Sequence, residues 1–396
     1  MLLYIHVPFC RQKCAYCAFF SMPLPQGHAK DALLNSYQTL LLKELRQRAK
    51  QLDHPRIASV YFGGGTPSLL PGPMLKSILA EIGREFTLAK SIEISAEANP
   101  DSALADGWLF EARAAGIERL SLGVQSLDNA TLAVLGRIHD ARTAEAAFRS
   151  ARDAGFCSIN LDFMWGLPGK RRGQPQKDWL NQLQRVCHWQ PEHLSAYCLT
   201  LEDGSPLSKA VAAQTLALPK ERTLASMYMA GADFLDNQGL VQYEIANFAR
   251  TGFQCRHNLG YWAGQDYLGL GPGAVSTLRD KRESNPRDLS AWALVAQTGQ
   301  GRDCEKLHPN DKHKERLMLS LRTVRGLDFA AWRKETGRSF CDDNARLIAL
   351  LCDKGLAHLC QERFYLSRKG MLVADAIIGK FFDALDACPG KKERCV

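Results

Sequence analysis

The chain has 396 residues, room for one large domain or two to three of ordinary size. Hydrophobic residues are 46% and charged residues 23%, a globular composition, and no apolar run is long enough to cross a bilayer as a helix. The net charge of +8 is spread along the chain with only short clusters such as Lys170-Arg171-Arg172, so charge alone does not mark a nucleic-acid partner.

The opening stretch, MLLYIHVPFC, lacks the basic and long apolar regions of a signal peptide. The 13 cysteines are odd in number and scattered, which predicts reduced thiols in a cytoplasmic protein rather than a disulfide framework. Strands are expected at 2–7, 56–62, 91–97, 118–124, 157–165, 192–199 and 240–245. Amphipathic helical stretches lie between them, for example 30–51 and 103–116. Alternation at this pitch implies βαβ units and a parallel sheet. About six units fit before residue 250, and motifs at the strand C-termini favour a barrel or partial barrel. A doubly wound sheet would carry a first-turn GxGxxG, which is absent.

The polar, turn-rich stretch 276–288 reads as a boundary region. Beyond it, 311–326 and 343–385 predict helices around one short hairpin, with LAHLC and FYLSR as its strands. The expected organisation is a barrel domain at 1–275, a connection at 276–304 and a small winged-helix-like domain at 305–396. Winged helices often bind nucleic acid, but many only pack against a neighbour, and the packing role is taken here.

Three cysteines, Cys10, Cys14 and Cys17, stand close together in FCRQKCAYCAFF. Structural zinc wants four ligands, so His6 or a distant residue would have to complete the set. Iron–sulfur ligation fits better. A [4Fe–4S] cube normally takes four cysteines, so three leave one iron open to a small molecule. Gly63, Gly64 and Gly65 follow a strand, where glycine lets backbone approach a ligand closely. Glu97, Gln125, Arg137 and Asp162 are polar groups at or beyond strand ends. Asp162 lies inside the otherwise apolar INLDFMW, where a charge needs a partner. In HNLGYW, His257 stands with two aromatic residues, Tyr261 and Trp262, close behind it, and taken alone it reads as a histidine hydrogen-bonded within the fold.

The segment YIHVPFCRQKCAYCAF resembles the CxxxCxxC signature of radical S-adenosylmethionine (SAM) enzymes. More narrowly, the chain resembles the oxygen-independent coproporphyrinogen III oxidase-like family and, within it, the heme-chaperone branch. YFGGGTPSLL (61–70), RLSLGVQSLD (119–128), NLDFMWGLPG (160–169), QCRHNLGYW (254–262) and YLGLGPGA (267–274) carry the likeness along nearly the whole chain. The resemblance implies an α/β fold, a partial (β/α)6 TIM-like barrel with a small, mainly helical, winged-helix-like C-terminal domain. It implies a [4Fe–4S] cluster on Cys10, Cys14 and Cys17, with SAM chelating the open iron. It assigns SAM contacts to Tyr4, Tyr16, Gly64, Gly65, Thr66, Glu97, Gln125, Arg137, Asp162, Ala196 and Val275. It assigns heme contacts to His257, Tyr261 and Trp262. The implied role is delivery of heme to hemoproteins such as respiratory oxidases, with an electron-donor protein and a membrane-associated recipient as further partners and no nucleic acid. An oxygen-independent coproporphyrinogen oxidase or a radical SAM methyltransferase is the alternative. A nucleic-acid-binding protein working through its C-terminal domain is the alternative from another class.

The chain departs from its relatives in four places. The porphyrinogen-oxidising enzymes carry a further cysteine where this chain has Phe19. They also carry a long extension before the motif, and only nine residues precede Cys10 here. Both differences point toward the chaperone branch. Ala18 replaces a common aspartate and Val275 a common histidine.

Overall fold

Six strands lie side by side in chain order, all parallel. They are β1 (Leu2–Val7), β2 (Arg56–Gly64), β3 (Thr87–Ala98), β4 (Arg119–Gln125), β5 (Ser158–Trp165) and β6 (His193–Cys198). The computed structural model describes residues 1–387. Parallel neighbours need crossovers, and helices such as His28–Gln51, Gly72–Glu85 and Ala141–Asp153 supply them. The sheet does not close. Beyond β1 it continues through Tyr267–Leu270, Val275–Leu278, Lys281–Ser284 and Asp303–Lys306, and beyond β6 through Asn247–Ala249 and Val241–Gln242. The fold is therefore a partial barrel with two added wings of short strands.

The strand residues alternate in character, and the alternation sets the two faces. On β5, Ile159, Leu161, Phe163 and Trp165 are buried in the hydrophobic core, while Asn160, Asp162 and Met164 line the cavity inside the barrel. On β4, Leu120, Leu122 and Val124 pack in the core, while Arg119, Ser121, Gly123 and Gln125 line the cavity. An ordinary (β/α) barrel fills its interior with branched apolar side chains. This interior is polar.

Three sequence expectations need correction. The strand expected at 240–245 is extended only over Val241–Gln242; buried Glu244 bridges to Thr323 instead, and the chain returns as an antiparallel strand at Asn247–Ala249. The helix expected at 103–116 is regular only over Trp108–Ala115, because Asp106 (φ 52°) and Gly107 (φ 70°) are left-handed. The stretch 276–288, read as a boundary, contains strands Val275–Leu278 and Lys281–Ser284, which extend the main sheet.

That extension is held by one buried carboxylate. Glu44, on helix His28–Gln51, is 0% exposed. It accepts from Gly271 N (2.9 Å), Asn285 Nδ2 (2.8 Å), Trp292 Nε1 (2.9 Å) and Arg302 Nη2 (2.9 Å). Further along, Leu327–Asp328, Arg363–Leu366 and Ala357–Leu359 form a second, three-stranded sheet flanked by helices. The expected hairpin is its last two strands. Residues 388–396, the end of the expected C-terminal domain, lie outside the described residues.

Replacing Glu44 by alanine leaves Arg302 and three other buried donors unmatched. Urea unfolding of Glu44→Ala should show a loss of about 3–5 kcal/mol, the cost of breaking a buried pair from one side. A loss below about 1 kcal/mol would mean that the network does not hold this wing.

Candidate cluster and cofactor site

A cavity of about 420 Å³ occupies the barrel interior and opens where β2 to β6 end. The cysteine segment follows β1 and arches across this mouth. It is tied down by backbone bonds, Ala15 N to Leu135 O (3.0 Å) and Leu207 N to Ala15 O (3.0 Å). His6 holds the far side through Nε2 to Phe20 O at 2.8 Å. Cys10, Cys14 and Cys17 are free thiols, and all three line the cavity. Thr66 Oγ1 donates to Cys10 Sγ at 3.4 Å, and Arg137 Nη1 donates to Cys14 Sγ at 3.3 Å. Arg137 is fixed by Asn99 Oδ1 (2.6 Å) and Gly123 O (2.7 Å).

Burial pushes the Cys10 and Cys17 thiols up from the usual range, against the partial relief of nearby hydrogen bonds. Thiolates in such a place need a cation or a metal centre to hold the charge. The guanidinium and hydroxyl at the sulfurs supply part of this, so the donor set fits an iron–sulfur cluster. His6, the nearby residue that could complete a zinc set, has both ring nitrogens hydrogen-bonded, to Tyr4 Oη and Phe20 O.

The glycine run has a structural cause. Gly65 N donates to Val7 O at 2.8 Å, and a Cβ on Gly65 would stand 2.6 Å from Phe9 O. Gly64 has φ 110°, and a Cβ there would stand 2.6 Å from the His6 ring. The run is empty of side chains so that the strand leading to Cys10 can pass it.

Below the mouth the walls are polar. Glu97 accepts from Tyr61 Oη (2.9 Å) and Gly64 N (3.2 Å). Burial, then the nearby Asp162 charge, raises its carboxyl to about 7. Asp162 accepts from Ser121 Oγ (2.8 Å) and Asn160 Nδ2 (2.8 Å) and is also raised by burial. Asn160 Oδ1 meets His193 Nδ1 at 2.6 Å, and His193 Nε2 meets Tyr243 Oη at 2.8 Å. Gln125, at φ 65°, is the middle of a three-residue turn closed by Ser126 N to Val124 O (2.8 Å). A non-glycine residue in that conformation is strained, and here its side chain lines the cavity.

The structure gathers most of the expected SAM residues. Tyr16, Gly64, Gly65, Thr66, Glu97, Gln125, Arg137 and Asp162 line the same cavity as the cysteines. Three do not. Tyr4 bonds His6 Nδ1 (3.1 Å) and, like Val275, faces a second, smaller cavity. Ala196 is buried, with its N–H on Ala246 O (2.8 Å) and its C=O taken by Trp165 Nε1 (3.2 Å).

The heme candidates do not share a surface. His257 is 1% exposed, with Nδ1 on Ser59 Oγ (2.8 Å) and its ring stacked on Tyr61 at 5.0 Å. Burial lowers it to about 3. Its Nε2 has no partner among the described residues, and Tyr261 stands edge-on to the ring at 4.9 Å. Tyr261 reaches the second cavity, and Trp262 a third one against the C-terminal domain. Sequence reasoning missed Tyr61, Ser121, Asn160 and His193. The signal was there in the polar positions of SINLDFMW and HLSAYC, alternating with apolar ones.

An open parallel barrel with three free thiols across its mouth defines a radical SAM protein. The model of the Radical SAM superfamily matches residues 4–177, and that of the HemN C-terminal domain matches 307–373. A Mycobacterium tuberculosis protein named heme chaperone HemW is 36% identical over 380 residues, 95% of this chain and 93% of the relative. The Escherichia coli protein of the same name is 32% identical, covering 96% of this chain and 97% of the relative. A mouse protein, radical S-adenosyl methionine domain-containing protein 1, mitochondrial, is 35% identical, covering 95% of this chain and 86% of the relative. Coproporphyrinogen III oxidase (HemN) from Escherichia coli shares the fold, with TM-score 0.81 at 24% identity over 98% of this chain and 90% of that one. The chain belongs to the HemW family. Membership of the superfamily implies a [4Fe–4S] cluster and SAM.

Two outcomes follow from the geometry. Gly65→Ala should lower the melting temperature by several degrees, because the new Cβ pushes on the Phe9 carbonyl. An unchanged melting temperature would mean that the glycine serves only a ligand. The Glu97 carboxyl is raised in the fold, so its charged form opposes folding. The Glu97 contribution to stability should therefore fall as pH rises from about 4.3, the unfolded value, through about 7. Glu97→Gln lacks this effect. In urea unfolding without added cofactor, its advantage over wild type should grow between these pH values and level off above. Parallel curves would contradict the raised carboxyl.

Proposed function

We propose that this protein binds heme and passes it to hemoproteins such as respiratory oxidases, carrying a [4Fe–4S] cluster on Cys10, Cys14 and Cys17 and SAM beside it. The observation that carries the reading is kinship along nearly the whole chain with proteins named heme chaperones. Phe19 supports it. It is 69% exposed at the rim shared by two cavities, at the position where the porphyrinogen-oxidising relatives carry cysteine. An exposed ring is a stacking face for a flat macrocycle.

Bound together, the cluster and SAM supply one-electron cleavage of SAM. The chain's own residues hold the pair. Arg137 steadies the cluster side through Cys14 and keeps Nε unpartnered for an acceptor. Glu97 and the Gly64 backbone offer acceptors to an ammonium group, and Asp162 accepts from hydroxyls. Heme coordination by His257 requires the packing around its ring, Tyr61 and Tyr261 included, to open; the unpartnered Nε2 is the atom it would offer. An electron donor, a membrane-associated recipient and a cytoplasmic location are part of the proposal. No helix among the described residues is long and apolar enough to cross a membrane.

The oxidase remains the second reading, favoured by the shared HemN fold. One anaerobically reconstituted sample separates the two. It should hold about four irons per chain, most of them lost in Cys14→Ser and kept in Cys157→Ser. It should bind heme saturably without converting coproporphyrinogen. His257→Ala should lower heme affinity or alter the Soret band and leave the iron in place. Turnover with no saturable heme site would make the oxidase the first reading.

A further inference from the structure

The cavity does not end at Glu97 and Asp162. It continues toward the N-terminal ends of the strands, to a floor lined by Ser95, Arg119 and Asn258. Ser95 is paired in register with Arg119, one pleat below the pair Glu97 and Ser121. None of the three belongs to the residues assigned above to the cluster, SAM or heme.

The floor is polar and incompletely satisfied. Arg119 is 4% exposed, and its one fixed nitrogen, Nη1, donates to Ser158 Oγ (2.9 Å) and Phe253 O (3.0 Å). Among the described residues no carboxylate stands within ion-pair distance of it. The nearby Glu93 is already taken, by Arg256 N (3.1 Å), His257 N (3.0 Å) and Cys255 Sγ (3.6 Å). Ser95 is 1% exposed, and among the described residues its Oγ has no hydrogen-bond partner. The Asn258 amide makes no side-chain hydrogen bond among the described residues and faces the same space. Glu93 and Asp162 act on Arg119 only from beyond contact; a buried guanidinium with no carboxylate touching it is costly, and so is each buried polar atom left unmatched. The three groups present a fork of N–H donors, a hydroxyl and an amide to one space, an arrangement that suits a planar carboxylate.

We propose that this floor is a second small-molecule site, beneath the SAM site, that binds a small carboxylate. Arg119 pairs with the carboxylate, Ser95 donates to it, and Asn258 meets a neighbouring polar group. The apolar bulk of a porphyrin does not match this floor. The ligand is a compact polar acid, separate from the heme cargo. The proposal rests on reading the upper cavity as the SAM site.

The test uses the reconstituted holoprotein, first titrated with SAM and then, SAM-loaded, with acetate, glycolate and lactate by calorimetry. At least one of the three acids should bind saturably, one per chain. Ser95→Ala should weaken that binding about fivefold to tenfold while SAM affinity stays within twofold, and Arg119→Gln should abolish it. Ser95 Oγ holds nothing in the fold, so Ser95→Ala decides the matter if Arg119→Gln does not fold. No saturable binding of any acid, or binding unaltered in Ser95→Ala, would overturn the proposal and leave the floor as a water-filled space. Failure of SAM to bind in the first titration sinks the cofactor reading instead, and the acids are then titrated on the unloaded protein with the same two outcomes.

Discussion

A barrel lined with polar side chains has to satisfy them or leave them to a ligand. Asn160 sits at the centre of that constraint. Its amide donates to Ser121 Oγ (2.7 Å) and Asp162 Oδ1 (2.8 Å), and its oxygen meets His193 (2.6 Å) and Ser195 (3.2 Å). One side chain thus ties β4, β5 and β6 together across the interior. Each such group left unmatched would cost on the order of 1–3 kcal/mol. The network fixes strand register and directs the remaining groups, Glu97, Asp162, Gln125 and Arg137, at the space above. The apolar side chains on the alternate positions then have one direction left, outward beneath the helices, and the core forms there.

The two sequence motifs close the barrel at opposite ends. At the top, the glycine run lets β2 pass the cysteine strand, so cluster loop and strand are one packed unit. At the bottom, HNLGYW opens the short helix Arg256–Trp262. Glu93 on β3 accepts its first backbone N–H groups, and Gly260 leaves room for Leu2, which a Cβ would approach to 2.7 Å. The motif is therefore a plug as well as a candidate heme contact. The plug explains why His257 is enclosed: Ser59, Tyr61 and Tyr261 pack around it.

Much of this was legible in the sequence, for physical reasons. The six parallel strands announce themselves by β-branched runs at a βαβ pitch. The cysteine triplet has a chemistry that few other arrangements share. Glu97 and Asp162 stood out because a charge at the end of, or inside, an otherwise apolar strand needs a partner; Arg137, expected near a strand end, lies instead in the turn after Asn129–Val134. What stayed hidden depends on which way a side chain faces. Tyr4 sits six residues before Cys10, yet it faces another cavity, as does Val275. The polar lining was written in the alternation of SINLDFMW, but reading it required knowing that the inner face, usually apolar in a barrel, was the polar one. Glu44 gave no local signal, since its four donors come from residues more than two hundred positions away.

The central proposal is that the three cysteines and the polar cradle form one site, in which the thiolates would hold the cluster and Glu97 and the Gly64 backbone would receive the SAM amino group. Electron–nuclear double resonance on the reduced, reconstituted cluster with SAM labelled with ¹⁵N at its amino group tests it directly. The account predicts a ¹⁵N coupling to the cluster. It also predicts that replacing Glu97 by glutamine weakens the SAM affinity at which the coupling appears. Saturating SAM with no coupling in the wild-type protein would contradict it.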